Sequence, residues 1–162
     1  MQARARLFGH AIHQMLIPYP LALLTTAIAF DVAHLFTGNP LWATIAYWMI
    51  AIGIVGGLSA ALFGFIDWTG IPSGTRAKRI GALHGIGNVV MVTLFAASWW
   101  LRHAAAGQTS TLALILAVAG ATLSLLTGWL GGELVDRYGV AVEDGANVDG
   151  RPGATRPVHP VR

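Results

Sequence analysis

The chain has 162 residues, of which 55% are hydrophobic and only 10% are charged, and its formal net charge is +3. Soluble domains carry about 25% charged residues, so this composition excludes an ordinary water-soluble domain and indicates a protein surrounded by lipid. The basic residues lie at the ends of apolar segments and form no single patch, which argues against nucleic acid as a partner. The absence of cysteine excludes disulfides, thiolate nucleophiles and iron–sulfur ligation.

Residues 1–15 precede the first long apolar segment. They place apolar side chains at roughly helical spacing behind Arg4 and Arg6. This pattern predicts a short interfacial helix at the membrane surface. Pro18 and Pro20 then predict a bend where the chain enters the membrane.

Four apolar segments follow, each long enough to cross a hydrocarbon core of roughly 30 Å as a helix. They cover residues 16–36, 41–66, 80–101 and 111–131. Turn-forming or polar stretches separate them. The sequence therefore predicts an all-α integral membrane four-helix bundle within residues 16–138.

Glycines four residues apart occur in these segments and let helix backbones approach closely. The pairs are Gly53–Gly57, Gly81–Gly85 and Gly128–Gly132. We interpret them as packing sites of the bundle. A flat cofactor edge lying against glycine is the alternative.

Basic residues mark one side of the predicted bundle much more than the other. Arg102 stands alone on one side, whereas the other side carries Arg4, Arg6, Arg76, Lys78, Arg79 and Arg137. The positive-inside rule then predicts that both termini and the second connection lie in the cytoplasm.

The last 24 residues, 139–162, are rich in Gly, Pro, Asp and Arg. Such a segment cannot bury a core of its own, so we predict a polar tail that is disordered unless something holds it. A partner protein or a neighbouring copy of the chain would be the means of holding it.

Ionisable side chains at membrane depth are costly and usually functional. On the predicted topology a cytoplasmic layer collects six polar residues, namely His10, His13, Asp67, His84, Asn88 and Glu133. His10 and His13 are three residues apart and would share one face of a helix, and Asn88 follows His84 by about one turn. Imidazoles with carboxylates suit a metal ion, whereas two imidazoles from different helices suit a haem. Simple hydrogen bonds and helix caps are the alternative.

A weaker outer layer holds Asp31, His34 and His103. Asp31 and His34 share a helical face at a spacing of three, as a carboxylate that orients a metal-bound imidazole would. An intrahelical hydrogen bond would produce the same spacing. His103 lies at the water boundary and is also explained by simple solvation.

Five stretches, in order, resemble a family of bacterial membrane proteins catalogued as domain of unknown function 2231. They are GHAIHQMLIP at residues 9–18, GFID at 64–67, GTR at 74–76, LHGIGN at 83–88 and GWLGGELV at 128–135. The resemblance covers roughly residues 8–140. It implies a multi-pass four-helix protein of the bacterial cytoplasmic membrane, and members joined to redox modules imply electron transfer. The family often has proline after each early histidine, where this chain has Ala11 and Gln14.

Our first hypothesis is a small subunit resembling a b-type cytochrome, which exchanges electrons with a quinone or a protein partner. His84 would be one axial ligand of haem b and His13, or less favourably His10, the other. Asn88, Asp67 and Glu133 would orient the imidazoles, while Arg76, Lys78 and Arg79 would neutralise the haem propionates.

Two alternatives remain open at this point. One is a transition-metal ion held by His10, His13, His84 and Glu133, with Asp67 as a further carboxylate. The other is a cofactor-free accessory subunit of a larger membrane complex or homo-oligomer. The sequence lacks the motifs of common hydrolases and nucleotide-binding sites. We therefore expect an electron-transfer or accessory subunit more than a stand-alone enzyme.

Overall fold

A computed structural model describes residues 1–104, 107–143 and 145–146. The elements in chain order are β1 (Arg6–Leu7), β2 (His10–Ala11), α1 (Ile12–Leu16), α2 (Pro18–Thr37), α3 (Pro40–Thr69), α4 (Arg76–Leu101) and α5 (Thr111–Asp136). We call the end of the bundle with the amino terminus and the α3–α4 connection the inner end. The opposite end, where α2 joins α3 and α4 joins α5, is the outer end.

The chain begins with a two-stranded β-hairpin, so the prediction of a helix over residues 1–15 was wrong for its first eleven residues. β1 and β2 pair antiparallel, with Leu7 opposite His10. Phe8 and Gly9 form the turn between them, and both have positive φ, at 48° and 86°. A two-residue hairpin turn of this kind requires such angles, and Gly9 supplies one of them without strain. His10 therefore lies in a strand and does not share a helical face with His13.

A break at Ile17 separates α1 from α2, where the sequence predicted a bend. Pro18 is the first residue of α2 and brings no backbone N–H to the preceding turn. The Ile17 N–H still bonds to the His13 carbonyl at 3.1 Å, so the path stays helical across the break. α1 and α2 together form one apolar stretch from Ile12 to Thr37.

Among the described residues, four helices are long and apolar enough to cross a membrane, as predicted. Polar side chains begin three of them: Asn39 accepts from the Leu41 N–H, Thr75 from the Lys78 N–H and Ser110 from the Ala113 N–H. Large apolar side chains cover the outside of all four helices, including Leu35, Val55, Val89 and Leu125. Helices that are apolar on every side are typical of a lipid environment. The predicted orientation of the bundle stays a prediction.

Two helical hairpins, α2–α3 and α4–α5, are packed together mainly through α3 and α4. Their buried positions repeat. The buried residues of α2 are Pro20, Leu24, Ala27 and Asp31. Each has a buried counterpart 71 residues later in the chain, and these counterparts are Met91, Phe95, Ser98 and Arg102. Six buried residues of α3, namely Ala46, Ile50, Gly53, Gly57, Ala60 and Asp67, match all six of α5: Ala113, Ala117, Gly120, Ser124, Thr127 and Leu134. The two hairpins therefore form an internal structural repeat.

Close helix contacts also repeat between the two hairpins. A Cβ added to Gly53 would lie 2.6 Å from Leu24, and one added to Gly120 would lie 2.8 Å from Phe95. Leu24 and Phe95 are equivalent residues, as are the two glycines. These contacts set how closely the helices of each hairpin approach.

The predicted glycine pairs are only partly packing sites. Gly53 and Gly57 lie against other helices, and Gly81 lies against Trp68. A Cβ on Gly85, Gly128 or Gly132 would meet nothing within 4 Å. Those three glycines make no close helix contact among the described residues.

The predicted tail is described only at its start. The amino-terminal ammonium group of Met1 donates to the Gly139 carbonyl at 3.0 Å, and Val140 N–H donates to the Leu134 carbonyl at 2.9 Å. The prediction for residues 147–162 lies outside the described residues.

Candidate functional site

Two histidines from different helices lie next to each other at the inner end. His13 comes from α1 and His84 from α4, and their ring centres are 6.4 Å apart with planes at 86°. They occupy equivalent positions of the two hairpins, on the same spacing that relates Leu24 to Phe95. If the two hairpins were related by a two-fold axis, a residue in contact with its own equivalent would lie on that axis.

Each imidazole is fixed by a backbone carbonyl of the second helix of its hairpin. His13 Nδ1 donates to the Ala60 carbonyl at 2.8 Å, and His84 Nδ1 donates to the Thr127 carbonyl at 2.8 Å. A carbonyl only accepts, so Nδ1 carries the proton and Nε2 keeps the lone pair. This arrangement leaves Nε2 as the nitrogen that can bind a metal or accept a proton.

Glycine makes room for each ring. Gly64 follows Ala60 by one helical turn, and a Cβ there would lie 2.8 Å from His13 Cε1. Gly131 follows Thr127 in the same way, and a Cβ there would lie 3.0 Å from His84 Cε1. The position of each ring therefore requires a glycine one turn after the residue whose carbonyl binds it.

Asn88 makes the two histidines unequal. Its side-chain Nδ2 donates to His84 Nε2 at 3.1 Å, so both nitrogens of His84 have a hydrogen bond. The equivalent position in the first hairpin is Ile17, which has no side-chain donor. The sequence placed Asn88 one helical turn from His84, and the two side chains are hydrogen-bonded, while the role of either at a cofactor stays a prediction.

The other residues of the predicted inner layer have different partners. Asp67 Oδ1 accepts from the backbone N–H groups of Arg4 and Ala5, at 2.7 and 2.9 Å. Glu133 pairs with Arg137 at 3.1 Å on the same helix. Across residues 1–104, 107–143 and 145–146, no three His, Asp or Glu side chains gather as a metal-ion site.

His10 bonds to its own hairpin, with Nδ1 3.0 Å from the Phe8 carbonyl. Of the basic residues expected near a haem, Arg76 and Arg79 are exposed at the inner end. Lys78 is engaged elsewhere, because its ammonium group donates to the Trp68 carbonyl at 2.7 Å and lies 3.7 Å from the centre of that indole ring. Lys78 therefore links the start of α4 to the end of α3.

At the outer end Asp31 pairs with Arg102, and the expectation that it orients His34 was wrong. The guanidinium group donates through both terminal nitrogens, at 2.6 and 2.8 Å, to the two carboxylate oxygens. Ser98 and Thr109 complete the network, the first accepting from Arg102 and the second donating to Asp31 at 3.0 Å. Both charged side chains are fully buried.

The two outer histidines have separate partners as well. His34 Nδ1 lies 3.0 Å from the Asn39 carbonyl, across the turn that ends α2. His103 lies among aromatic rings, with Nδ1 3.2 Å from the Tyr47 hydroxyl. The structure therefore does not bring Asp31, His34 and His103 together.

Arg102, Ser98 and Thr109 were missed as site residues, because Arg102 was interpreted only as a marker of the outer side. One signal was available in the sequence. Arg102 follows Asp31 by 71 residues, the same spacing that separates His13 from His84. A search for this repeat would have paired both sets of residues.

Comparisons with curated proteins and with solved structures found no match. The family of predicted membrane proteins called DUF2231 matches residues 9–144. That range includes His10, His13, His84, Asp31 and Arg102, and it covers all four long helices. By this match the chain belongs to the DUF2231 family of predicted membrane proteins.

Proposed function

We propose that this multi-pass protein is an electron-transfer subunit of a bacterial cytoplasmic membrane, and that His13 and His84 ligate one haem b. The observation that carries the proposal is the pair of adjacent imidazoles, each with Nδ1 bound to a backbone carbonyl. Metal-bound histidines commonly have this second hydrogen bond, because it fixes the ring and makes Nε2 a better ligand.

The spacing of the two rings would allow both imidazoles to hold one metal. Metal–imidazole bonds of about 2.0 Å place the centres of two such rings roughly 6 Å apart. The ring centres of His13 and His84 are 6.4 Å apart. When bound, a haem would supply one-electron transfer, the chemistry that defines such a subunit.

The number of available ligands favours haem over a free metal ion. A haem needs only axial ligands from the protein, whereas ions such as zinc take three or four protein ligands. Asp67 is bound to two backbone N–H groups and Glu133 to Arg137, so neither is free to complete an ion site. The metal-ion hypothesis thus loses its carboxylates.

Different residues of the chain would have separate roles in binding the haem. The Ala60 and Thr127 carbonyls hold the imidazoles and raise the basicity of Nε2. Asn88 would release its bond to His84 Nε2 when that nitrogen becomes a ligand. Arg76 and Arg79, exposed at the inner end, would neutralise anionic propionates.

One observation favours a cofactor-free accessory subunit as the second candidate. Both nitrogens of His84 already have hydrogen bonds, to Thr127 and Asn88. An imidazole whose two nitrogens are both hydrogen-bonded needs no ligand to be stable. The test therefore has to detect a cofactor directly.

The experiment is an absorbance spectrum of the purified protein, oxidised and dithionite-reduced, together with metal analysis. We expect a Soret band that is lost in His13→Ala and His84→Ala and kept in His10→Ala and His34→Ala. The last two variants remove histidines whose only described partners are nearby backbone carbonyls. Stoichiometric metal without a Soret band would instead support an ion site. A featureless spectrum without metal would overturn the proposal and leave the accessory subunit.

A further inference from the structure

An aromatic cluster lies at the outer end between α3 and α4, and neither the haem proposal nor the buried ion pair uses it. Its members are Tyr47, Trp48, Trp99, Trp100 and His103. The Tyr47 ring stacks on Trp99 with centres 5.5 Å apart, and His103 stacks on Trp100 at 6.0 Å with planes at 10°. The Tyr47 hydroxyl and His103 Nδ1 are 3.2 Å apart.

The repeated plan of the bundle provides an internal comparison for this cluster. At the equivalent positions of the other hairpin contact, α5 against α2, the chain has Leu114, Ile115, Ile28, Ala29 and Val32. These residues carry no polar atom on their side chains. The same scaffold therefore packs without aromatic or hydrogen-bonding groups there, and packing alone does not account for the cluster.

Anchoring at the membrane interface accounts for only part of it. Trp48 and Trp100 are 58% and 70% exposed, as interfacial aromatics are expected to be. Tyr47 is only 6% exposed, and its hydroxyl group lies 3.2 Å from His103 Nδ1. An interfacial anchor would keep that group in contact with water.

Trp99 adds a second observation. Its indole Nε1 is buried and is the one side-chain nitrogen or oxygen atom in the described chain that is buried without a hydrogen-bond partner. Native structures rarely leave a buried donor in this state, and such a group commonly meets a ligand or a water. The indole N–H and the Tyr47–His103 pair lie on neighbouring rings, because Tyr47 stacks on Trp99.

We propose that this cluster binds the headgroup of a membrane quinone. A quinone is a flat ring with two carbonyl oxygens, so it is recognised by stacking on aromatic side chains and by hydrogen-bond donors at its edges. The cluster offers indole faces, the Trp99 N–H and the Tyr47–His103 pair. Trp48 and Trp100 are exposed on the surface that lipid would cover, which gives a lipid-soluble ligand access.

This inference rests on the proposed electron-transfer function, because a quinone is the mobile electron carrier dissolved in the bilayer. The two remain separable by experiment. Quinone binding is measured at the outer end without any haem signal, whereas the spectrum reports on the inner end. A protein without a Soret band that binds quinone would refute only the haem proposal, and the reverse result would refute only the quinone site.

The experiment is a titration of the full-length protein in lipid nanodiscs with decylubiquinone, followed by tryptophan fluorescence. We expect saturable quenching whose midpoint moves to higher quinone concentration in Trp99→Phe, which lacks the indole N–H, and stays unchanged in Trp129→Phe. Trp129 is an exposed tryptophan at the inner end of α5 and is the matched control. His103→Gln and Tyr47→Phe should each weaken binding by about fivefold or more, the loss of at least one hydrogen bond.

Linear, non-saturable quenching that is equal in all four variants would overturn the site and leave an interfacial aromatic anchor. The unfolding transition of each variant is measured in parallel, because Tyr47 is buried. His103 is exposed, so His103→Gln tests binding even if Tyr47→Phe unfolds. Unchanged affinity in a folded His103→Gln protein would also contradict the proposal.

Discussion

Asp31 and Arg102 occupy equivalent positions in the two hairpins and form a fully buried, two-pronged ion pair with each other. Two identical residues at these positions could not attract each other in this way. The opposite charges therefore distinguish the two halves of a repeated scaffold, and they join the end of α2 to the end of α4. Ser98 and Thr109 satisfy the remaining hydrogen-bonding atoms.

We predict that Asp31→Ala destabilises the protein by about 3–5 kcal/mol, because it leaves the Arg102 guanidinium buried and unpaired. The free energy of unfolding is measured in detergent micelles by denaturant titration. The double variant Asp31→Leu with Arg102→Leu should recover most of this loss, since an apolar pair needs no compensation.

Glu133→Ala is the matched control for that measurement. It breaks the Glu133–Arg137 pair, in which the arginine side chain is 72% exposed. A pair in which one side chain is this exposed contributes about 0–1 kcal/mol. Equal losses for Asp31→Ala and Glu133→Ala would show that burial of the outer pair has no special effect.

The four membrane helices were predictable because segment length and hydropathy decide them almost alone. The ends of the helices extend beyond the apolar segments: α3 runs to Thr69 and α5 to Asp136. Hydropathy does not detect these last turns, because it falls at their polar residues. The backbone hydrogen bonds of the helix nevertheless continue through them. Polar caps such as Thr75 are better indicators of where such helices begin.

The sequence predicted that His13, His84 and Asn88 belong to the candidate site, but not how the imidazoles are held. Both histidines lie near the inner ends of predicted helices, so their level in the membrane follows from counting residues. Their actual supports, the Ala60 and Thr127 carbonyls, are backbone atoms without any sequence signature. The hairpin that removes His10 from the site was hidden because Phe8 takes a conformation that is rare for an aromatic residue.

Gly131→Ala should displace the His84 ring, because the new methyl group would lie 3.0 Å from His84 Cε1. We expect loss of the proposed haem and a destabilisation of about 1–3 kcal/mol from overpacking. Absorbance spectra and denaturant titrations measure the two effects. Gly64→Ala should act in the same way on His13, where the contact would be 2.8 Å.

Gly132→Ala and Gly128→Ala are controls on the same helix, since a methyl group at either position meets nothing within 4 Å. Replacing glycine by alanine in a helix should leave these variants equally stable or stabilise them by up to about 1 kcal/mol. Their spectra should match that of the unaltered protein. Haem loss in Gly132→Ala as large as in Gly131→Ala would show that the ring contact is not the cause.

Asn88→Ala separates the haem hypothesis from the accessory-subunit hypothesis. Its amide group occupies His84 Nε2, the nitrogen that would become the ligand. If haem binds there, the variant should keep its Soret band and bind haem as tightly or up to about fivefold more tightly, because a competing hydrogen bond is gone. Haem affinity is measured by titration of the cofactor-free protein.

The same variant should lose about 1 kcal/mol of stability in the cofactor-free form, the usual contribution of one hydrogen bond. A loss of haem in Asn88→Ala would contradict His84 Nε2 as the ligand. Loss of stability with no cofactor in any preparation is the result expected for a purely structural polar cluster.

Asp67→Ala should release the amino-terminal segment, because one carboxylate oxygen accepts the backbone N–H groups of Arg4 and Ala5 at 2.7 and 2.9 Å. Hydrogen bonds to a charged group contribute about 1.5–3 kcal/mol each, and burial of Asp67 keeps water from replacing them. We expect trypsin to cleave after Arg4 and Arg6 at least tenfold faster in this variant, measured by mass spectrometry of the released peptides. Asp136→Ala, at an exposed position at the same end of the bundle, should leave cleavage unchanged. Since β2 leads directly into α1, the release should also loosen His13 and weaken the proposed haem, whereas equal cleavage in both variants would show that Asp67 does not hold this segment.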